Sequence, residues 1–151
     1  MGCTMTWSSR ALVALSSVVL LGCATAPSQP DAHTCFHDDQ AFEAEVGYCQ
    51  AVRTGRTLYI SGHAGRGEMP VAIQGVYEHL RKTLAANGLT FASVVKENVY
   101  TTDLDAFIKN KALRQKFYAN TPLPAATWVQ VQRLYTPALV LEVELVAEYP
   151  Q

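Results

Sequence analysis

The stretch Pro122–Tyr149, PLPAATWVQVQRLYTPALVLEVELVAEY, constrains this chain more than any other. It predicts two strands, roughly Ala126–Arg133 and Leu139–Ala147, joined by a short Thr-Pro turn. Leu141, Val143 and Leu145 alternate with Glu142 and Glu144, and Thr127, Val129 and Val131 alternate with Trp128, Gln130 and Gln132. Period-two alternation puts one set on each face of a sheet. Trp128, Gln130, Glu142 and Glu144 are therefore expected to share a polar face. A solvated sheet surface accounts for that face, and so does a wet pocket between subunits.

Residues 1–22 read as a leader, removed before the fold is considered. Arg10 supplies a thin positive start, and Ala11–Leu21 is too short an apolar run for the roughly twenty residues of a bilayer span. Leu20-Leu21-Gly22-Cys23 resembles the lipobox of bacterial lipoproteins. That resemblance implies cleavage before Cys23, lipid on Cys23 and membrane anchorage, with Ala24 after the cysteine favouring the outer membrane, facing the periplasm. Met1-Gly2 with Thr6 and Cys3 fits a myristoyl–palmitoyl pattern instead. It leaves the apolar run and Cys23 unexplained. Residues 23–44 are expected to be a lipidated tether, and 45–149 the folded domain.

Lys and Arg number 12 against 13 Asp and Glu, with no basic stripe, which argues against a nucleic-acid partner. Of the four cysteines, Cys3 leaves with the leader and Cys23 takes lipid. Cys35 and Cys49 remain as a candidate disulfide in an oxidising compartment, worth about 3 kcal/mol on a chain-entropy argument. The alternative is two free thiols, with Cys49 buried as a small apolar residue. His33-Thr34-Cys35-Phe36-His37 holds metal-ligand types, but the spacing matches no structural zinc pattern, so no metal is expected. Gly62-His63-Ala64-Gly65-Arg66-Gly67 fits neither the dinucleotide nor the Walker pattern. It reads as a glycine-rich connection, and no cofactor is expected.

Tyr48–Val52 and Thr57–Ser61 predict a hairpin. Pro70 suits the first turn of a helix whose Ile73, Val76, Tyr77, Leu80 and Leu84 share one side, closed at Asn87-Gly88. Val94–Thr101 reads as a strand, and Thr102 or Asp103 caps a second helix with Leu104, Phe107, Leu113 and Phe117 inward. The order is β-β-α-β-α-β-β, an α+β domain with both helices on one face of a mixed sheet. The uncovered face favours subunit pairing.

Four segments then resemble the reactive-intermediate deaminase family, RidA/YjgF. They are Tyr48-Cys49-Gln50-Ala51-Val52 with Leu58-Tyr59-Ile60-Ser61-Gly62, Asn87-Gly88-Leu89 into Val94-Val95-Lys96, Val99-Tyr100 with Asp103-Leu104 and Phe107, and the closing Pro124-Ala125, Val129, Val131, Arg133-Leu134 and Glu142-Val143-Glu144. The resemblance implies a chorismate-mutase-like homotrimer whose inter-subunit clefts bind a small molecule. In active members the cleft hydrolyses imines and enamines. It implies that Glu142 orients water or protons, and that Tyr48, Ser61 and Gly62 line the cleft. His63 stands where a glutamine is usual, and Trp128 where a cysteine is. The family arginine that grips a carboxylate falls on Ala126. Without it a small-metabolite binder is expected ahead of an efficient deaminase, and Arg66 and His63 are candidates to replace the clamp. Truncating one partner of such a pair costs on the order of 2–5 kcal/mol.

In a lipoprotein-processing bacterium the chain should fractionate with membranes, and Cys23→Ser should release it or strand the precursor, as read by fractionation and intact mass. Soluble wild type that keeps residues 1–22 would contradict this.

Overall fold

Six strands form one sheet in the order β1-β2-β3-β6-β4-β5, in a computed structural model that describes residues 1–2 and 33–151. The leader, the lipobox and Cys23 lie outside the described residues. The strands are β1 (Thr34–Phe36), β2 (Ala51–Thr54), β3 (Thr57–Arg66), β4 (Val94–Thr101), β5 (Ala125–Gln130) and β6 (Leu139–Glu148). The helices are α1 (Gln40–Val46), α2 (Met69–Ala86), α3 (Leu104–Lys109) and α4 (Lys111–Phe117). The α+β fold and the order from β2 onward match the sequence reading. Among the described residues no helix is long and apolar enough to cross a membrane.

The core forms where α2 lies on the sheet. Ile73, Val76, Tyr77, Leu80 and Leu84 are fully buried against Leu58, Ile60, Val143 and Leu145. Each such side chain contributes about 1.5–3 kcal/mol of transfer free energy. Pro70 sits in the first turn of α2, and Gly88 follows it at φ 72°. Asp103 caps α3, its Oδ1 accepting from Ala106 N at 2.9 Å. The expected single second helix is two, because Asn110 turns back to donate its side-chain amide to the Ala106 carbonyl (2.9 Å).

Several expectations are corrected. Residues 34–44, assigned to the tether, contribute β1 and most of α1, whereas the candidate disulfide Cys35–Cys49 does form, with Cα atoms 5.6 Å apart. Gly62–Arg66 is strand, not connection: β3 runs through it, paired with β6. Gly65 is required there, since a Cβ would stand 2.8 Å from Val76 Cγ2 and 3.0 Å from the Ala72 carbonyl of α2. The last two strands are not neighbours. β6 lies between β3 and β4, whereas β5 is an edge strand parallel to β4.

Register also reverses the face of β5. Val99 is opposite both Val143 and Trp128, so Trp128 shares the helix-covered face with Val143. Gln130 shares it too, its Oε1 accepting from Leu104 N at 3.0 Å. Glu142 and Glu144 are on the other face, opposite Tyr100 and Asn98. The cause is Glu97 of β4, wholly buried on the helix side. Its carboxylate accepts from Arg114 Nε (2.7 Å), Tyr77 OH (2.8 Å), Tyr118 OH (2.9 Å) and Trp128 Nε1 (3.3 Å). Trp128 packs edge-on against Phe107 and so offers ring area and an N–H to the same interior.

Breaking that buried pair from one side should be expensive, whereas removing both charges should not. Arg114→Met is expected to cost on the order of 3–5 kcal/mol in urea denaturation, and Arg114→Met with Glu97→Met clearly less. Equal losses would show that the pair is not coupled.

Candidate functional site

A cleft forms where the sheet loses a strand. β2 leaves β3 at Ala51–Ile60, with Ser61 N donating to Gln50 O at 2.9 Å. From Gly62 onward β3 is paired with β6, and among the described residues no strand covers its other edge. Between Ile60 and His63 the register slips, so Ser61 and Gly62 form a bulge beside Glu144. α1 and the residues before it close the space, tied to Gln50 just ahead of β2 by Glu43 and to α2 by an Asp38 Oδ2–His79 Nε2 contact of 3.0 Å. The cavity is about 680 Å³, and Tyr48, Ser61, Gly62, His63, Arg66 and Glu142 line it with Asp38, Asp39, Tyr135 and others.

Glu142 lies directly over Gly62. A Cβ on Gly62 would stand 2.8 Å from Glu142 Cδ, so the glycine makes room for the carboxyl group. Burial, with the charge of Glu144 added, pushes Glu142 above the usual carboxylate range. Glu144 itself is satisfied, by Asn98 Nδ2 at 2.6 Å and Tyr100 OH at 3.2 Å. One carboxylate of the pair is thus anchored, and the other is left to the cleft.

His63 stacks on His79 with ring centroids 3.5 Å apart and planes within 5°. Burial, and then His79, push His63 down to about 4, while Asp38 opposes them weakly. It is a neutral imidazole at pH 7. Ser61 spends its hydroxyl on the wall, donating to the Cys49 carbonyl at 2.7 Å. Burial raises the Tyr48 phenol, and the neighbouring carboxylates of Glu43, Asp39, Asp38 and Glu142 add to it.

Two expected site residues are elsewhere. Trp128 belongs to the interior described above. Ala126, the second residue of the edge strand β5, is opposite Glu97 and does not line this cleft. Its expected neighbour Glu142 is on the other face of the sheet, because β5 presents its odd-numbered residues there. The five residues that meet, Tyr48, Ser61, Gly62, His63 and Glu142, come from the segment before β2, from β3 and from β6.

Sequence reasoning missed α1 and Glu43. Glu43 is 1% exposed, and burial alone would raise it. Donation from Asp38 N (2.8 Å), Asp39 N (2.9 Å), Gln50 N (2.9 Å) and His37 Nδ1 (2.6 Å) outweighs burial and holds it below the usual range. The available signal was Asp39 ahead of Phe42 and Val46, a cap followed by apolar residues at helical spacing. Cys35, His37 and Cys49 come within 4.8 Å of one another, but the two sulfurs are joined, and a disulfide sulfur lacks the thiolate that binds metal.

Residues 38–149 match the family described as Endoribonuclease L-PSP. Protein DfrA of Myxococcus xanthus is 32% identical over 68% of this chain and 86% of its own length. A 2-iminobutanoate/2-iminopropanoate deaminase of Dermatophagoides farinae is 28% identical over 58% of this chain and 74% of its own. The crystal structure of Rv2704 from Mycobacterium tuberculosis, a member of the YjgF/YER057c/UK114 family, superposes with a TM-score of 0.71 at 26% identity. It covers 78% of this chain and all of that one.

His63 sets a pH dependence. Its folded value is depressed from 6.5 to about 4, so the unfolded chain takes the proton first. The stability tied to neutral His63 is therefore full above pH 6.5 and is lost as pH falls toward 4. Thermal denaturation of wild type and His63→Gln should show the wild type losing stability relative to the variant across that window. Parallel curves would contradict the burial of a neutral ring.

Proposed function

This chain belongs to the Endoribonuclease L-PSP family, and on that premise we propose that its cleft binds a small metabolite that does not depend on a carboxylate for recognition. The observation that carries this reading is Glu142. It is a half-buried carboxyl group of raised pKa, seated on Gly62 and facing a cavity of metabolite size. The lining sets Asp38, Asp39 and Glu142 against one guanidinium, Arg66. Such a lining repels a nucleic-acid backbone and gives an anionic substrate only one fork to grip. Ala126, where the family resemblance puts an arginine, supplies none. A neutral or cationic ligand that donates hydrogen bonds to Glu142 fits the cleft better.

Catalysis is the second reading, and the raised Glu142 favours it. A carboxyl group nearer neutrality can pass a proton between an imine nitrogen and an attacking water. On both readings the protein works as a homotrimer, with exposed Tyr59 and Val129 of the helix-free face turned toward a second copy. It is held at the outer membrane, facing the periplasm, by lipid on Cys23.

Gly62→Ala separates site from scaffold. The added methyl group meets the movable end of Glu142, so the melting temperature should change little while the carboxyl group is displaced. Titration with a panel of small amines, imines and neutral amides should find a wild-type ligand whose affinity falls about tenfold in Gly62→Ala, a loss of about 1.4 kcal/mol. Ammonia release from 2-iminopropanoate should be slow in wild type and absent in Glu142→Gln. Rapid release that Glu142→Gln leaves intact would overturn both readings, as would a panel ligand whose binding ignores Gly62→Ala.

A further inference from the structure

Behind the cleft wall is a constellation that metabolite binding does not use. Cys35 Sγ lies 3.0 Å from His37 Nε2, and the other ring nitrogen, Nδ1, donates to Glu43 Oε2 at 2.6 Å. The carboxylate is buried and held as an anion by three backbone N–H groups besides the ring. It fixes the imidazole's orientation, leaving Nε2 aimed at one sulfur of the Cys35–Cys49 bond. We propose that this disulfide is a thiol–disulfide exchange site, in which Cys35 is the leaving sulfur and the His37–Glu43 pair receives its charge.

The chemistry follows from the placement. A thiolate beside an imidazolium is stabilised, and a better-stabilised sulfur leaves faster. The thiolate of an external thiol attacks Cys49 Sγ and forms a mixed disulfide there. The Cys35–Cys49 bond breaks, and its electron pair goes to Cys35 Sγ. The proton given up by the incoming thiol rests on His37, as imidazolium between Cys35 and Glu43. A second external thiolate attacks the sulfur of the first, releases an external disulfide and leaves Cys49 reduced. Two thiols are oxidised to one disulfide, and the protein's disulfide is reduced to two thiols.

Access and consequence are both built in. Cys35, His37 and Cys49 are partly exposed, so a small thiol reaches them. The charged group on the ring is Glu43; Asp38 and Asp39 donate their backbone N–H groups to it and have exposed side chains, that of Asp38 contacting His79. The bond closes the loop that carries α1 and Asp38, while the Cys49 carbonyl holds Ser61 and the neighbouring Tyr48 lines the cavity. Exchange at this bond therefore frees one wall of the cleft.

The test uses the full-length protein, reduced and then treated with limiting iodoacetamide at pH 7, with alkylation at each cysteine read by peptide mass spectrometry. Cys35 should react at least about tenfold faster than Cys49, as a more fully ionised thiol does. In His37→Gln the two rates should converge, and reduction of the oxidised protein by glutathione should slow about tenfold. The wild-type ratio needs no variant, so a His37→Gln protein that folds poorly does not remove the test. Equal wild-type rates at the two cysteines would overturn the proposal, as would glutathione reduction unchanged in a folded His37→Gln protein. Reduced protein that takes up zinc stoichiometrically and then resists alkylation at both cysteines would also overturn it, in favour of a metal site.

Discussion

A carboxylate with no access to water, Glu97, decides how the second half of this fold is arranged. Burying a charge is tolerated only when donors replace the lost water, and here they come from α2, α4, the end of α4 and β5. Each donor fixes the element that carries it against β4. The edge strand is the clearest case, because Trp128 must face the helices to reach Glu97. That requirement sets the face of every other residue in β5, including Ala126. Arg114 also stacks near the rings of Tyr118 and Trp128, at 4.6 and 5.3 Å from their centroids. Charge, hydrogen bonding and aromatic packing agree on one geometry, which is how a buried ion pair specifies a fold even where it adds little net stability.

Three glutamates in the domain show what environment does to one side chain. Glu97 and Glu43 are both buried and both surrounded by donors, and they hold structure together. Glu142 is half-buried, has a like charge nearby in Glu144 and takes no hydrogen bond among the described residues. Its free energy falls when something in the cleft shares or supplies a proton. The carboxyl group that the fold leaves least satisfied is the one facing the cleft.

Much of this was legible in the sequence. The alternation in Leu139–Ala147, the amphipathic period of Ile73–Leu84, Pro70 and Asn87-Gly88 each carried a local physical signal, and each element formed where expected. Tyr48, Ser61, Gly62, His63 and Glu142 do meet. The misreadings share a cause. Which face Trp128 takes depends on a partner 31 residues away, and alternation fixes only that two faces exist. Gly65 looked like loop chemistry, because the close approach of α2 that requires it is tertiary. The apolar residues of α1, Phe42 and Val46 among them, do not make it a buried core helix, since both are exposed, and its order comes from the disulfide and from donors gathered on Glu43. Neither leaves a periodic trace in the sequence.

The position of β6 has a kinetic side. The last strand of the chain pairs with β3 on one flank and β4 on the other, so it joins two half-sheets that share no strand contact without it. The hairpin of β2 and β3 closes locally, but pairing with β6 must bridge most of the domain and bear the corresponding loop-closure entropy. At roughly 5–20 residues per second, the ribosome completes the strand bearing Glu142 some seconds after Gly62 has been made. Until then the edge of β3 is bare on both sides of its second half, and the cleft does not exist. A nascent chain of this design is most open to wrong pairing until β6 is made, and removal of β6 would destroy cleft and sheet together.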